Sequence, residues 1–377
     1  MDFGFSEEQD LLRKSARDFL AKECPIPFVR RMMEDETGFT GEVWRKMADL
    51  GWMGLVFPED VGGSGLDMVD LVVVLEEMGR MVMPGPFFST VLLGGMALAE
   101  GGSEEQKRRY LTKLAAGELK ATVAILEPSA RWDASGIEAR AEPDGEGFRL
   151  TGTKLFVPDA HVADLLLVAA RTGGGGAEGI SVFALELPAT GVTVEPLKTL
   201  DQTRKLCEVT LDGVAAGRGA LVGGEGRGWP LLERVMDRAK VGLCAEMCGG
   251  AERVLEMSVD YAKIRVQFDR PIGSFQAIQH KCANMLLQVE SSKSATYYAA
   301  WAVAKDVPEA PLAAAMAKAY TSDAYRIVAG DGIQIHGGIG FTWEHDMHLY
   351  FKRAKHSELT FGDAVWNRDR VADLIDI

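Results

Sequence analysis

The feature that most limits the fold of this 377-residue chain is a double change of hydrophobic period along it. From residue 5 to about 118 the apolar residues recur at helical spacing. In SEEQDLLRKSARDFLAKE, Leu11, Leu12, Ala16, Phe19 and Leu20 share a face, and Ser6, with an acidic pair behind it, has the form of a helix start. Pro25 and Pro27 are expected to end that helix. Further amphipathic segments follow at 41–51, 68–80, 89–100 and 103–115, divided by the loop PEDVGGSGLD and by PGP at 84–86. The character then switches to short β-rich runs: TVAIL (122–126), FRLTGTKLFV (148–157), DLLLVAAR (164–171), ISVFALEL (180–187) and LCEVTLDGV (206–214). Pro143-Asp144-Gly145 and the run Gly173 to Gly176 punctuate them. No helix separates these strands, which argues against a parallel Rossmann sheet. LVGGEGRGWP (221–230) reads as the hinge out, and from Leu231 the helical period returns. There Ile278, Cys282, Leu286 and Val289 stand at i, i+4, i+8 and i+11, predicting a helix of about 30 residues, and PEAPLAAAMAKAYTSDAYRIVAGDGIQIHGG supplies the next. The expected fold class is α+β: an N-terminal α-helical domain (1–118), a middle antiparallel β domain (119–222) and a C-terminal four-helix-bundle domain (223–377).

Composition excludes several function classes. A net charge of −14 argues against nucleic-acid binding, which needs clustered Lys and Arg. No apolar run approaches the roughly 20 residues of a membrane span, since LVVVL (71–75) meets Glu76 and Glu77. The acidic start MDFGFSEEQD is unlike a signal or transit peptide. Cysteines 24, 207, 244, 248 and 282 form no CxxC and are expected to be reduced and mostly buried, so a reducing cytoplasm is the expected compartment.

Two short motifs carry ligand chemistry. In RVQF, Arg265 is a permanent cation with a fork suited to a diphosphate, and Gln267 and Phe268 offer a polar contact and a ring that can lie against an adenine or flavin edge; a solvated helix-end cation is the plainer reading. In QIHGGIG, Gly337 and Gly338 permit close approach of backbone amides to a phosphate within reach of Gln334, whereas a helix C-cap turn explains the same glycines without a ligand.

Together with YAKIRVQFDRPIGSFQAIQHKCANM (261–285), PEDVGGSGLD (58–67) and EEQKRRYLTKLAAGE (104–118), these motifs resemble the acyl-CoA dehydrogenase family over essentially the whole chain. The resemblance implies a homo- or heterotetrameric flavoprotein that oxidises the Cα–Cβ bond of an acyl-CoA thioester. A carboxylate takes the α-proton, FAD takes the β-hydride, and an electron-transfer flavoprotein or similar acceptor reoxidises it. It also implies that Arg265, Gln267, Phe268, Gln334, Gly337 and Gly338 serve the adenine-diphosphate half of FAD, mostly that of the neighbouring subunit, while the isoalloxazine ring lies in the chain's own β-domain crevice.

The chain departs from that pattern at the flavin ring and at the base. Where the family has a TEPGAGSD-like loop, this chain reads LEPSARWD, with Leu126 in place of the Thr that donates to the flavin and Arg131 and Trp132 in place of small residues. Where the family places a Thr against flavin N5, FVPDA puts Pro158, which has neither hydroxyl nor N–H. The usual position of the catalytic Glu, counted from RAK (353–355) and back from Gly362, is Phe361; the family's alternative, 26 residues before Arg265, is Ala239. The nearest carboxylates are Asp237, Glu246, Glu358 and Asp363. Glu246 is the candidate base, two turns and roughly 10 Å along the helix from Ala239, with an interhelical polar contact as its plainer role. Asp363 is placed to cap the next helix.

Two hypotheses follow, with a third of a different class. The chain is a subunit that lacks its own base and completes a partner's FAD site, as in bacterial heteromeric dehydrogenases for steroid side chains. Alternatively it is a self-sufficient homotetramer using a displaced carboxylate such as Glu246. The third is a non-enzymatic flavin- or CoA-binding subunit. No metal is expected: His345 and His348 are three apart with Asp346 between, but no second cluster completes a ligand set. His336, inside the glycine motif, is placed to contact a diphosphate. Trp132 either blocks the thioester site or packs outward, and acyl-chain identity is not legible.

Overall fold

The computed structural model describes residues 5–377; Met1–Gly4, the first part of the acidic start, lie outside the described residues. The helices of the first segment are α1 (Glu7–Glu23), α2 (Ile26–Glu34), α3 (Gly41–Asp49), α4 (Met68–Arg80), α5 (Met96–Gly101), α6 (Glu104–Gln106) and α7 (Thr112–Ala115), with wide-turn π segments at Ser89–Gly95 and Lys107–Leu111. Strands β1 (Ala121–Ala124), β2 (Arg140–Asp144), β3 (Gly147–Pro158), β4 (Leu165–Arg171), β5 (Ile180–Glu186), β6 (Val192–Leu197), β7 (Leu206–Gly217) and β8 (Leu221–Val222) follow. The chain then enters α8 (Gly228–Ile264), a small hairpin β9 (Val266–Gln267) and β10 (Arg270–Pro271), and α9 (Gln276–Ala304), α10 (Ala310–His336), α11 (Met347–Leu359) and α12 (Ala364–Leu374). The α+β character and the helix, sheet, helix order are those expected.

By contacts the chain forms two compact units, one of residues up to Arg31, Asp67–Met83 and Lys240–Ile377, the other of Met32–Leu66 and Pro84–Ala239. The first sequence segment is thus shared between both units, which periodicity alone could not reveal.

In the unit that carries the C-terminal helices, Ser6 and Gln9 form a reciprocal capping box that starts α1. Of the two prolines expected to stop α1 only Pro25 does so; Pro27 lies in the first turn of α2, where a missing N–H costs nothing. Helix α1 is tied to α4 by ion pairs from Arg13 to the buried Glu76 and from Arg17 to the buried Glu77, and Lys293 and the Tyr297 hydroxyl of α9 also converge on Glu76. On α9 the buried line runs through Met285, Val289, Ser292, Thr296 and Ala299, whereas Leu286 is 48% exposed. Of the expected stripe, Val289 is buried and Ile278 and Cys282 half-buried, but Met285 takes the place of Leu286, and the line continues through Ser292 and Thr296, which a hydrophobic count passes over. Helix α10 buries Ala313, Ala314, Ala317 and Ala324, and such small side chains let α9, α11 and α12 pack closely around it.

Helices α4 and α8 meet backbone to backbone. A Cβ on Gly249 would lie 1.8 Å from the Glu76 carbonyl oxygen, and one on Gly79 2.0 Å from that of Glu246. Gly249→Ala is expected to destabilise the chain by about 3 kcal/mol, because neither helix can yield without disturbing its own hydrogen bonds. Urea unfolding monitored by circular dichroism measures this, and an unchanged midpoint would refute the contact.

In the other unit the sheet runs β6-β7-β3-β2-β4-β5-β8, with β1 pairing in parallel to β4. Apart from that pair and a single β2–β4 bridge the pairing is antiparallel. A two-residue turn at Gly145-Glu146, with Gly145 at φ 59°, joins β2 to β3. Phe148, Leu150, Leu166, Val168, Phe183 and Val209 fill the core on one face. Strand β3 keeps the two-residue alternation through Lys154 and then breaks it: a bulge between Lys154 and Val157 buries Val157 and turns Phe156 outward at φ 54°.

Candidate functional site

The residues expected to serve an adenine diphosphate are gathered at the ends of α8 and α10. Past Ile264, β9 and β10 are joined by a two-residue turn in which Phe268 and Asp269 both have positive φ, and the Phe268 ring is 86% exposed. A phenyl group held in that backbone region and left in water is unfavourable twice over, the pattern of a contact surface. Arg265 is exposed, and its guanidinium has no partner among the described residues. Gln267 is exposed, and among the described residues its side-chain amide donates only to the neighbouring Val266 carbonyl. Gln334 lies exposed on the last turn of α10, and Gly337, at φ 64° and ψ −141°, caps that helix. The helix-cap reading therefore holds for Gly337, and it leaves room for the other: a Cβ on Gly337 or Gly338 would meet nothing within 4 Å. Tyr261, one turn before Arg265, stacks on His336, two residues after Gln334, with ring centroids 4.5 Å apart. That stack brings the two motifs together. His336 itself is buried and bonded through Nδ1 to the Gly332 carbonyl, so it faces into the protein rather than toward a ligand.

The positions where the resemblance puts flavin-ring contacts lie in the sheet unit. Leu126, just past β1, is buried, and its carbonyl accepts from the Leu155 amide. Pro158 ends β3, and its carbonyl accepts from the Thr122 hydroxyl at 2.6 Å. Neither side chain can donate a hydrogen bond. The loop between them is nonetheless tightly built. Glu127, buried, accepts from the amides of Glu138 and Ala139 and from the ammonium of Lys154, which is fully buried and also donates to the Ile125 carbonyl. Burial pulls the Lys154 ammonium down to about 8, and Glu127 opposes that shift. Arg171 donates to the carbonyls of Ala134, Ile137, Gly174 and Gly176, so one guanidinium clasps the loop to the glycine run. Trp132 sits half-buried within the loop. The sequence marks the Glu127–Lys154 pair only by a lysine at an inward position of an alternating strand.

Phe361, where the resemblance puts the base, is buried, 3% exposed, with φ 59°. Its backbone is held by two side chains from elsewhere. Asn367 donates to the carbonyls of Phe361, Gly362 and Asp363, and the buried Lys318 donates to those of Glu358 and Gly362. Burial lowers Lys318 to about 8. Ala239, where the resemblance puts the alternative base, is fully buried on α8. Asp363 accepts from the Trp366 amide at 2.8 Å and caps α12. Glu358 pairs with Lys355 and Arg326. Glu246 is buried on α8, at the crossing with Gly79 of α4. Among the described residues no cluster of His, Cys, Asp and Glu is arranged to hold a metal, and the five cysteines are free, with Cys282 the least buried.

Tested against FAD, the two halves of the arrangement differ. Exposed Arg265 and Gln334 and the open glycines fit an adenine diphosphate; Leu126 and Pro158 offer no side-chain donor to a flavin ring, and Phe361 offers no carboxylate.

Comparison with known proteins agrees with the motifs over the whole length. Residues 6–118, 122–214 and 226–375 match the N-terminal, middle and C-terminal domains of acyl-CoA dehydrogenase. The chain is 33% identical over 354 residues to acyl-CoA dehydrogenase IpdE2 of Mycobacterium tuberculosis, covering 92% of this chain and 91% of that one. Its fold superposes on butyryl-CoA dehydrogenase from Megasphaera elsdenii with a TM-score of 0.93 at 28% identity, covering all of both chains. On a chain of the ChsE4–ChsE5 complex of Mycobacterium tuberculosis the TM-score is 0.91 at 30% identity, covering 100% of this chain and 99% of that one. With three domain matches in order and a fold shared end to end, this chain belongs to the acyl-CoA dehydrogenase family, FAD flavoproteins that act as oxidoreductases on CH–CH donors.

Proposed function

We propose that this chain takes part in α,β-dehydrogenation of an acyl-CoA thioester as a subunit of a heteromeric assembly, completing the FAD site of a partner while lacking a working site of its own. The observation that carries the reading is the division between retained and lost groups. Arg265, Gln267, Phe268, Gln334, Gly337 and Gly338 are exposed at two adjoining helix ends. Leu126, Pro158, Phe361 and Ala239 offer no donor or carboxylate where the chain's own flavin ring and base are expected. FAD supplies the hydride acceptor when bound; the part assigned to this chain is to neutralise and orient the diphosphate with Arg265 and the backbone at the glycines. The likeness to a chain of a two-component complex supports the same reading. An electron-transfer flavoprotein or similar acceptor and a cytoplasmic site belong to the proposal. No described helix is long and apolar enough to cross a membrane.

A second reading, a self-sufficient enzyme using Glu246, has the burial of that carboxylate on the same helix as Ala239 in its favour. Flavin content separates the two. Purified alone, the chain is expected to be colourless, and to carry FAD only when co-expressed with another acyl-CoA dehydrogenase-type chain. One FAD per chain in the isolated protein, bleached by an acyl-CoA, would overturn the subunit reading and establish the second.

A further inference from the structure

The segment from Gly337 to Glu344 joins α10 to α11, and its two ends are held together by a pair of imidazoles. His336, the last residue of α10, and His345, two residues before α11 begins, have ring centroids 4.5 Å apart at an interplanar angle of 56°. Hydrogen bonds fix which nitrogen of each ring carries its proton. A carbonyl can only accept, so His336 Nδ1, 2.7 Å from the Gly332 oxygen, holds a hydrogen. An amide can only donate, so His345 Nδ1, 3.1 Å from the Met347 nitrogen, is bare. Met347 is the first residue of α11, and the side chain of the N-cap residue Asp346 makes no capping bond. The neutral His345 ring therefore does the work of the cap, satisfying an amide that the helix leaves unpaired.

We infer that His345 is an acid-sensitive latch: neutral, it caps α11 and closes the neck of the 337–344 turn against His336; protonated at Nδ1, it loses the cap and releases the turn. Burial resists that proton first; of the charged neighbours Asp346 favours it and Arg30 opposes it. From α2, Arg30 donates to the His345 carbonyl and pairs with Asp346 at 2.8 Å. From α8 and α10 come the Tyr261 and His336 rings. On α11, Lys352 lies 3.9 Å from the Trp343 ring, which packs on His348 rather than on His345. Only the exposed Glu344 and Asp346, already paired to Arg30, favour the cation. A charge on the ring would also face the positive end of α11. Burial lowers the pKa of His345, with Asp346 opposing and Arg30 adding; burial likewise lowers His336, with His345 adding, and His348, with Lys352 adding. A histidine depressed in the folded state binds its proton more readily when unlatched. The latch is thus intact above the ordinary histidine value of about 6.5 and weakens as pH falls below it. Where the turn receives a diphosphate, as proposed above, ligand hold would weaken over the same range, but the latch itself depends on no ligand.

Hydrogen–deuterium exchange of the purified full chain from about pH 7.5 to 5, corrected for intrinsic rates, tests it. Peptides covering 337–350 are expected to lose protection by up to about tenfold per pH unit in the acid range, while the rest of α10 holds. His345→Asn keeps a capping acceptor without a titrating proton, so its protection should stay flat. No acid loss in the wild type, or the same loss in His345→Asn, would overturn the latch. Loss that vanishes in His348→Gln instead would assign it to the wrong ring and overturn it equally. FAD retention measured alongside is a separate readout: retention that ignores the exchange midpoint counts against the diphosphate reading, not against the latch.

Discussion

Arg265→Ala is expected to weaken FAD binding by the flavin-bearing assembly by ten- to a hundredfold, the loss of about 1.5–3 kcal/mol that accompanies a charge-assisted hydrogen bond. Arg265 has no other partner among the described residues, so its removal leaves nothing unpaired and stability should not change. Leu126→Ala is the contrasting variant, since an apolar side chain at the chain's own flavin-ring position has no hydrogen bond to lose. Titration of apo-assembly with FAD, followed by flavin fluorescence, reads both. An unchanged Kd for Arg265→Ala removes the central support of the proposed function, and a large effect of Leu126→Ala would mean that this chain's own ring site is occupied.

Lys154→Met is expected to be the most destabilising single exchange in the sheet unit, by about 3–5 kcal/mol, because it leaves Glu127 buried with its charge uncompensated. The amides of Glu138 and Ala139 still donate to that carboxylate, so adding Glu127→Gln, which keeps an acceptor and removes the charge, should recover part of the loss. Urea unfolding of the single and double variants decides it. Were the double variant no more stable than Lys154→Met alone, the cost would lie in packing of the lysine stem rather than in the stranded charge. The same variants should loosen the 127–139 loop, detectable as faster proteolysis between Glu127 and Ala139.

How much of this was legible beforehand depended on whether a signal was local. The capping of α12 by Asp363 could be read directly, since a short carboxylate after a glycine and before a helical run bonds within its own turn. The hairpin at Gly145 was marked in the same way. The buried line of α9 was legible only in part: Val289 was read, but Ser292 and Thr296 face inward only as neighbouring helices demand. The bulge after Lys154 that turns out Phe156 and buries Val157 left no mark, since a two-residue alternation contains nothing that announces an extra residue.

The sequence by itself determined the family, the order of helical and β segments, and the residue types that could meet a diphosphate, because each is a matter of spacing and chemistry along the chain. It also determined that no carboxylate stands at residue 361 or 239. Only the tertiary structure decided that Tyr261 and His336 bring the Arg265 and Gln334 motifs together. It also decided that Lys318 and Asn367 hold the backbone around Phe361, and that His345 caps α11 beside another imidazole. Those pairings join side chains from separate helices, and their energies arise from burial and from hydrogen bonds to main-chain atoms that acquire a position only when the helices pack.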